Sequence, residues 1–251
     1  MKIAVVGGTG TLGSVLTGEL ARSGHDVVAL SRNPRALPRP VEHLSIELTS
    51  GAGLDAALAG IEVVVDASNS GPRNAAPVLV EGTERLLQAS AVAGVGHYVG
   101  ISIVGCDRVP TAYYDVKVEQ ERTIAAGQVP WSLLRATQFH TLIALAFGRM
   151  GRLGVVPTGP ARLQPVDVGV VAARMAAVAV AEPAGRLADV AGPEVLTLSE
   201  LARTWRHAGH RALPLRIPLP RRIGQPLREG ALTDPGATAG GATFAEWLER
   251  E

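Results

Sequence analysis

Cysteine is almost absent. Cys106 stands alone in 251 residues, which excludes an internal disulfide and any cysteine-based zinc site and leads us to expect a reducing, cytoplasmic setting. Lysine is nearly as scarce: of 24 basic residues only Lys2 and Lys117 are lysines, the rest being arginine. Neither charge sign is in excess, 24 basic against 23 acidic residues leaving +1. No basic cluster is dense enough to track a phosphate backbone, so no nucleic-acid partner is expected. No apolar run reaches the ~20 residues that a bilayer-spanning helix needs. The stretch 141–147 is too short and 168–180 carries Arg174, so no membrane partner is expected. The chain enters a strand at once, from which no leader segment is expected. Six histidines are scattered without metal-ligand spacing, His207 and His210 reading as a solvated pair, and no metal is expected.

Apolar residues are plentiful, at 47% with a mean hydropathy of +0.20, enough for a large core. The most informative run is Val5-Val6-Gly7-Gly8-Thr9-Gly10-Thr11-Leu12-Gly13. It follows a short apolar strand from Ile3 and leads into a helix with Leu12, Val15, Leu16 and Leu20 on one face, ended by Gly24. Strand, glycine turn and helix N-terminus form an anion cradle, because bare N–H groups and the positive end of the helix dipole point at a pyrophosphate. The glycines allow a tight turn, a close phosphate approach and close helix–strand packing.

The second strand, Asp26 to Leu30, ends in Ser31-Arg32-Asn33-Pro34-Arg35, without a carboxylate. An acid there would hold the ribose hydroxyls of NAD, whereas an arginine accommodates the extra phosphate of NADP. The cofactor expected is therefore NADP(H) in preference to NAD(H).

Strand and helix signals continue to alternate, as in a parallel sheet covered by helices. Strands are expected at 41–48, 61–66, 97–101 and 131–135, and helices at 54–58, 77–93 and 112–126. Beyond about residue 145, Gly and Pro punctuate 148–165, and 211–241 is dense in Pro, Gly and Arg. Thr197 with Glu200 and Thr243 with Glu246 read as capping boxes of two short helices. The expected architecture is α/β, a doubly wound parallel sheet (1–145) with a small, mixed C-terminal lobe (146–251), continuous with the core and covering the substrate site.

Tyr113 and Lys117 are four apart on the expected helix and so share a face. Ser102 lies at the carboxyl end of the fifth strand. These are the parts of a carbonyl-reducing site. The phenol gives a proton to the substrate oxygen, the ammonium lowers the phenol pKa, and the serine holds the carbonyl.

The glycine run, Ser31 to Pro34, the Tyr113/Lys117 pair and Leu134-Arg135-Ala136-Thr137-Gln138-Phe139-His140 together resemble an atypical short-chain dehydrogenase/reductase of the NmrA-like, NAD(P)H-binding branch. The resemblance extends to Gln164–Val168 and Thr243–Leu248. It implies that Thr9 to Leu12 meet the pyrophosphate and Arg32 the 2′-phosphate. Ala67, Ser68 and Asn69 would line the ribose and adenine side, Lys117 would hold the nicotinamide ribose, and the backbone of Thr137, Gln138 and Phe139 would flank the nicotinamide. Glu47-Leu48 replaces the aspartate usual in that branch after the third strand, which places Leu48 beside the adenine. A short gap from Ser102 leaves either Tyr113 or Tyr114 facing the cofactor. The implied activity is NADPH-dependent reduction of a small carbonyl or enone compound by a monomer or homodimer. A non-catalytic NADP sensor and an isomerase or epimerase with retained cofactor are the alternatives.

Overall fold

The strand Lys2–Val6 (β1) owes its central position to an unbroken apolar run with no solvent face: Ile3 to Val6 are all buried, as parallel strands covered on both sides must be. A computed structural model describes residues 1–33, 41–237 and 240–250 of the protein. Helix Thr11–Arg22 (α1) follows and buries Leu12, Leu16 and Leu20, spaced four apart. Next come β2 (Asp26–Ser31), β3 (Glu42–Ser45), the single turn α2 (Leu54–Ala57) and β4 (Val63–Asp66). A wide π turn, Pro77–Glu81, runs into α3 (Gly82–Ala93), after which stand β5 (His97–Ile103), α4 (Ala112–Ala126) and β6 (Trp131–Ala136). The remainder holds α5 (His140–Gly151), β7 (Val155–Thr158), β8 (Arg162–Leu163), α6 (Val168–Ala179), β9 (Gly185–Arg186) and β10 (Leu196–Thr197). Last are α7 (Leu198–His207), β11 (Leu213–Arg216), α8 (Arg221–Arg228) and α9 (Phe244–Leu248).

Seven strands form one sheet in the order β3-β2-β1-β4-β5-β6-β9. β1 pairs in parallel with both β2 and β4, as do β2 with β3, β4 with β5, and β6 with β9. The strand order reverses at β1, so the topological switch point lies between β1 and β4, where open α/β sheets bind ligands beyond the strand carboxyl ends. This is a Rossmann-like α/β fold, as expected.

The expected helix 77–93 is divided. The Gly82 N–H reaches the Pro77 carbonyl five residues back, and a Cβ on Gly82 would stand 2.9 Å from that of Leu48. Both capping boxes form, each threonine hydroxyl accepting from the backbone N–H of its glutamate while the carboxylate accepts from the threonine N–H. Among the described residues no helix is long and apolar enough to cross a membrane, and no group of three His, Cys, Asp or Glu side chains could hold a metal ion.

The chain forms two compact units that interleave along it. One comprises residues 1–102, 112–134 and 171–187, with an aliphatic core drawn from β1, β2, β4 and α3, among them Val6, Leu30, Val64 and Leu86. The other comprises 103–111, 135–170 and 188–251. Its core is aromatic in part: Phe147, Trp205, Phe244 and Trp247 pack with Ile143, Val156 and Leu201.

Candidate functional site

Three loops of the first unit leave the carboxyl edge of the sheet around the switch point: 7–10 after β1, 31–33 after β2 and 67–70 after β4. The first is held tightly. Gly7 and Gly8 N–H both donate to the Leu30 carbonyl, and Gly10 N–H donates to the Gly7 carbonyl at 2.8 Å. Gly7 takes a positive φ of 72°, and a Cβ there would meet the Ala67 carbonyl at 2.9 Å. Gly8 would meet the Ala29 Cβ at 2.8 Å. On Gly13 a Cβ would overlap the Gly7 carbonyl oxygen and stand 2.7 Å from its carbon. Gly7, Gly8 and Gly13 are thus required by backbone packing. Gly10, the N-cap of α1, is different: it is exposed, extended, and its Cβ would approach only the Gly7 oxygen, at 3.1 Å. Thr9 is half-buried, Thr11 exposed and Leu12 buried. The first N–H groups of α1, beginning at Thr11, have no partner within the helix and face the loop.

After β2, the Ser31 hydroxyl donates to the Asn33 carbonyl and lies 2.7 Å from His43 Nε2. Arg32 is exposed, and its charge helps to hold the Glu47 carboxyl below the usual range, although the Thr49 backbone N–H is the larger cause. A carboxylate therefore does stand near Arg32, contributed from beyond β3 rather than by β2. Pro34 and Arg35 lie outside the described residues. Leu48 is a core residue whose carbonyl accepts from Arg85 at 3.4 Å.

Beyond β4, Ala67 N–H donates to the Val6 carbonyl, and Ser68 N–H to Asp66 Oδ1 at 2.9 Å. Ser68 Oγ is buried and finds no partner among the described residues. Asn69 Oδ1 accepts from the Tyr113 hydroxyl at 2.8 Å, which fastens the post-β4 loop to α4. Tyr113 rather than Tyr114 makes this bond, the two rings tilting past each other at 5.9 Å.

Lys117 is buried one turn further along α4. Its ammonium donates to the Ile101 carbonyl at 3.0 Å and to Gln120 Oε1 at 2.5 Å. Ser102, the next residue of β5, is also buried. Burial pushes the Tyr113 phenol above its usual pKa, with the Asn69 bond opposing. Desolvation of the ring is the larger cause.

A chain of buried groups continues from Lys117 that the sequence did not point out. Gln120 Nε2 donates to Thr83 Oγ1 at 3.2 Å, the Thr83 hydroxyl bonds to the Tyr98 phenol, and Tyr98 donates to Asp66 Oδ2 at 2.7 Å. Every donor in this chain points from the ammonium towards the carboxylate. Tyr98 is fully buried and its pKa lies well above the ordinary phenol range, chiefly through desolvation. The only sequence signal was Gln120 three residues after Lys117, one helical turn on.

Thr137, Gln138 and Phe139 belong to the second unit. Thr137 N–H donates to the Val190 carbonyl, and its hydroxyl accepts from Gly192 N–H at 3.2 Å. Gln138 bridges the Leu232 carbonyl and the Gln164 N–H. Phe139 pairs with Val166 and is the N-cap of α5.

The profile of a family described as NAD(P)H-binding matches residues 7–144, more than half of the chain and all of the loops above. The chain belongs to this NAD(P)H-binding family. Its members and neighbours are diverse. Quinone oxidoreductase 2 of Escherichia coli is 26% identical over 211 residues, covering 80% of this chain and 72% of that protein. A crystal structure of the NADPH-dependent quinone oxidoreductase from Escherichia coli, complexed with NADPH, superposes with a TM-score of 0.81 at 21% identity, over 99% of both chains. UDP-glucose 4-epimerase of Thermotoga maritima superposes with a TM-score of 0.74 at 17% identity, over 89% of this chain and 88% of that one. An uncharacterized protein of Mycobacterium tuberculosis is 29% identical over 167 residues, which are 64% of this chain but 17% of that protein. The chain thus spans about a sixth of the length of the mycobacterial relatives it matches.

The residues present fit an NAD(P)H-binding protein. The glycine cradle has room only where Gly10 faces solvent, and the orphaned Ser68 hydroxyl lies beside it, 3.0 Å separating the Ser68 Cα from a Cβ built on Gly7.

Proposed function

We propose that this protein is an NADPH-dependent oxidoreductase that reduces a small carbonyl or enone compound, quinones being one member of that class. The observation that carries the reading is the Tyr113 hydroxyl on α4, half-buried and tied to the post-β4 loop through Asn69 Oδ1 at 2.8 Å. Oη carries its proton at neutral pH, as an ordinary phenol does, and burial shifts its pKa further up. A phenol so placed has a proton to give to a substrate oxygen.

Thr9 to Leu12, with the N-terminus of α1, would hold the pyrophosphate; Ala67 to Asn69 would line the ribose and adenine side, with Leu48 behind. Arg32 would take a 2′-phosphate and so favour NADP(H) over NAD(H). The nicotinamide, when bound, supplies a hydride. Tyr113 delivers the matching proton from Oη to the substrate oxygen, Ser102 hydrogen-bonds that oxygen, and Lys117 orients the ribose from its fixed seat on the Ile101 carbonyl. The Escherichia coli relative's name, quinone oxidoreductase, points to the same substrate class.

Turnover is read as NADPH absorbance loss against a panel of quinones, enones, ketones and aldehydes. Tyr113→Phe is expected to lower kcat by about 10²–10⁴-fold with NADPH affinity unchanged. Tight NADPH binding with no turnover across the panel would replace this reading with the sensor. Full activity in Tyr113→Phe would transfer the acid role to Tyr114.

A further inference from the structure

The second unit carries a surface that the cofactor site does not use. Leu213 to Pro220 are eight consecutive exposed residues. Along β11 and just beyond it, Leu213, Leu215, Ile217 and Leu219 alternate with Pro214, Arg216, Pro218 and Pro220, so the four aliphatic side chains lie along one face. They are 72%, 47%, 37% and 43% exposed. The segment that carries them is basic: Arg203, Arg206, Arg211, Arg216, Arg221, Arg222 and Arg228 are all exposed, and no acidic residue occurs from Leu201 to Arg228, although Glu200 lies near Arg203. Beside Leu213 an open cleft of about 560 Å³ is lined by Arg206, His207, His210 and Arg211. His210 is fixed on its rim by stacking on Trp205 at 4.1 Å.

We infer that this face docks on an anionic lipid surface, the aliphatic row entering the headgroup boundary and the arginines meeting lipid phosphates, one of them in the cleft. Three features select this occupant. Strand addition is blunted, because Leu213 and Ile217 N–H are taken by the Gly154 and Thr158 carbonyls and positions 214 and 218 are prolines without an N–H. A second copy would oppose one arginine cluster to another, a like-charge arrangement that is costly at an interface. The row also lacks the aromatic anchors that dominate protein interfaces, whereas aliphatic side chains flanked by arginine suffice for a fluid bilayer surface. This is adsorption, not spanning, and it departs from the expectation of no membrane partner drawn from run length alone.

The test is flotation of the full chain with phosphatidylglycerol-rich and with pure phosphatidylcholine vesicles at low and high salt. Binding is expected on the anionic vesicles only and should weaken with salt. Arg221→Gln with Arg222→Gln should lose about 25-fold, at roughly fivefold per arginine, and Leu215→Ser with Ile217→Ser should release the protein. All four positions are exposed, so NADPH affinity and melting temperature should match the parent. Absence from both vesicle types, equal binding to both, or full binding by both variants overturns the proposal. A dimer in sedimentation that the Leu215/Ile217 variant dissociates would overturn it in favour of a second copy.

Discussion

Three glycines of one helix and its approach separate cofactor binding from packing. At Gly13 a methyl group overlaps the Gly7 carbonyl, 2.7 Å from its carbon and 2.9 Å from the Gly8 Cα. Carbon–carbon contacts settle near 3.5–4.0 Å, so α1 must withdraw by about 1 Å, and the obstacle is backbone that cannot rotate aside. Overpacking of this kind costs about 1–3 kcal/mol, a fall of roughly 2–12 °C in Tm for a chain of this size. The helix N-terminus recedes with it. Losing one charge-assisted hydrogen bond to a pyrophosphate costs about 1.5–3 kcal/mol, or 10- to 150-fold in Kd. Gly13→Ala should therefore lose both stability and NADPH affinity. Gly10→Val should keep nearly all the stability, the N-cap change costing about 0.5 kcal/mol, yet lose the affinity. Gly18→Ala, in the middle of α1 with nothing within 4 Å of its Cβ, should gain about 0.5–1 kcal/mol and bind as the parent does. NADPH fluorescence titration and calorimetry read the two quantities on each variant. Parental binding and parental Tm in Gly13→Ala would refute the contact on which the cradle rests.

Arg32→Glu should reverse the preference for NADPH over NADH, with a 10- to 150-fold loss for NADPH, and equal titration of the two cofactors by the parent would remove the basis for it. Acid should destabilise the fold before ordinary carboxylates titrate. Burial holds His97 and His140 below the usual imidazole range, so between their folded values and about 6.5 the unfolded chain binds more protons and stability falls as pH falls, by up to about 1.4 kcal/mol per pH unit for each. The ring of His140 shows why: Nε2 donates to the Ala242 carbonyl while Nδ1 is buried without a partner among the described residues, so a second proton finds no acceptor among them. Urea midpoints that stay level from about pH 7 to pH 5 would contradict this.

What was legible in the chain was local or periodic. Buried strands of consecutive apolar residues, the glycine turn, and threonine and glutamate three apart each declare themselves within a few positions and are found there, whereas the strand expected at 41–48 is only Glu42–Ser45 and largely unburied. The division of the helix at Gly82 was not legible, because its close neighbour Leu48 is far away in sequence. Nor was the environment of Arg32, since Glu47 comes from the segment beyond β3. The Tyr113/Lys117 spacing correctly set both on α4, yet spacing says nothing about where an ammonium goes once Ile101 and Gln120 offer nearer oxygens. Gln120 and Thr83, 37 residues apart, meet only when α3 and α4 pack.

That buried chain from Lys117 through Gln120, Thr83 and Tyr98 to Asp66 bears on how the sequence can drift. Each of its three middle members both gives and receives a hydrogen bond, all in one direction. An apolar substitute at any of them strands a donor on one side and an acceptor on the other, at about 1–3 kcal/mol for each orphan. The two ends carry the charged groups, so replacing Gln120 or Tyr98, the members next to them, leaves a buried charged group facing a broken link. Five positions from four separate elements therefore behave as one heritable unit. Neutral paths through sequence space must change several of them together.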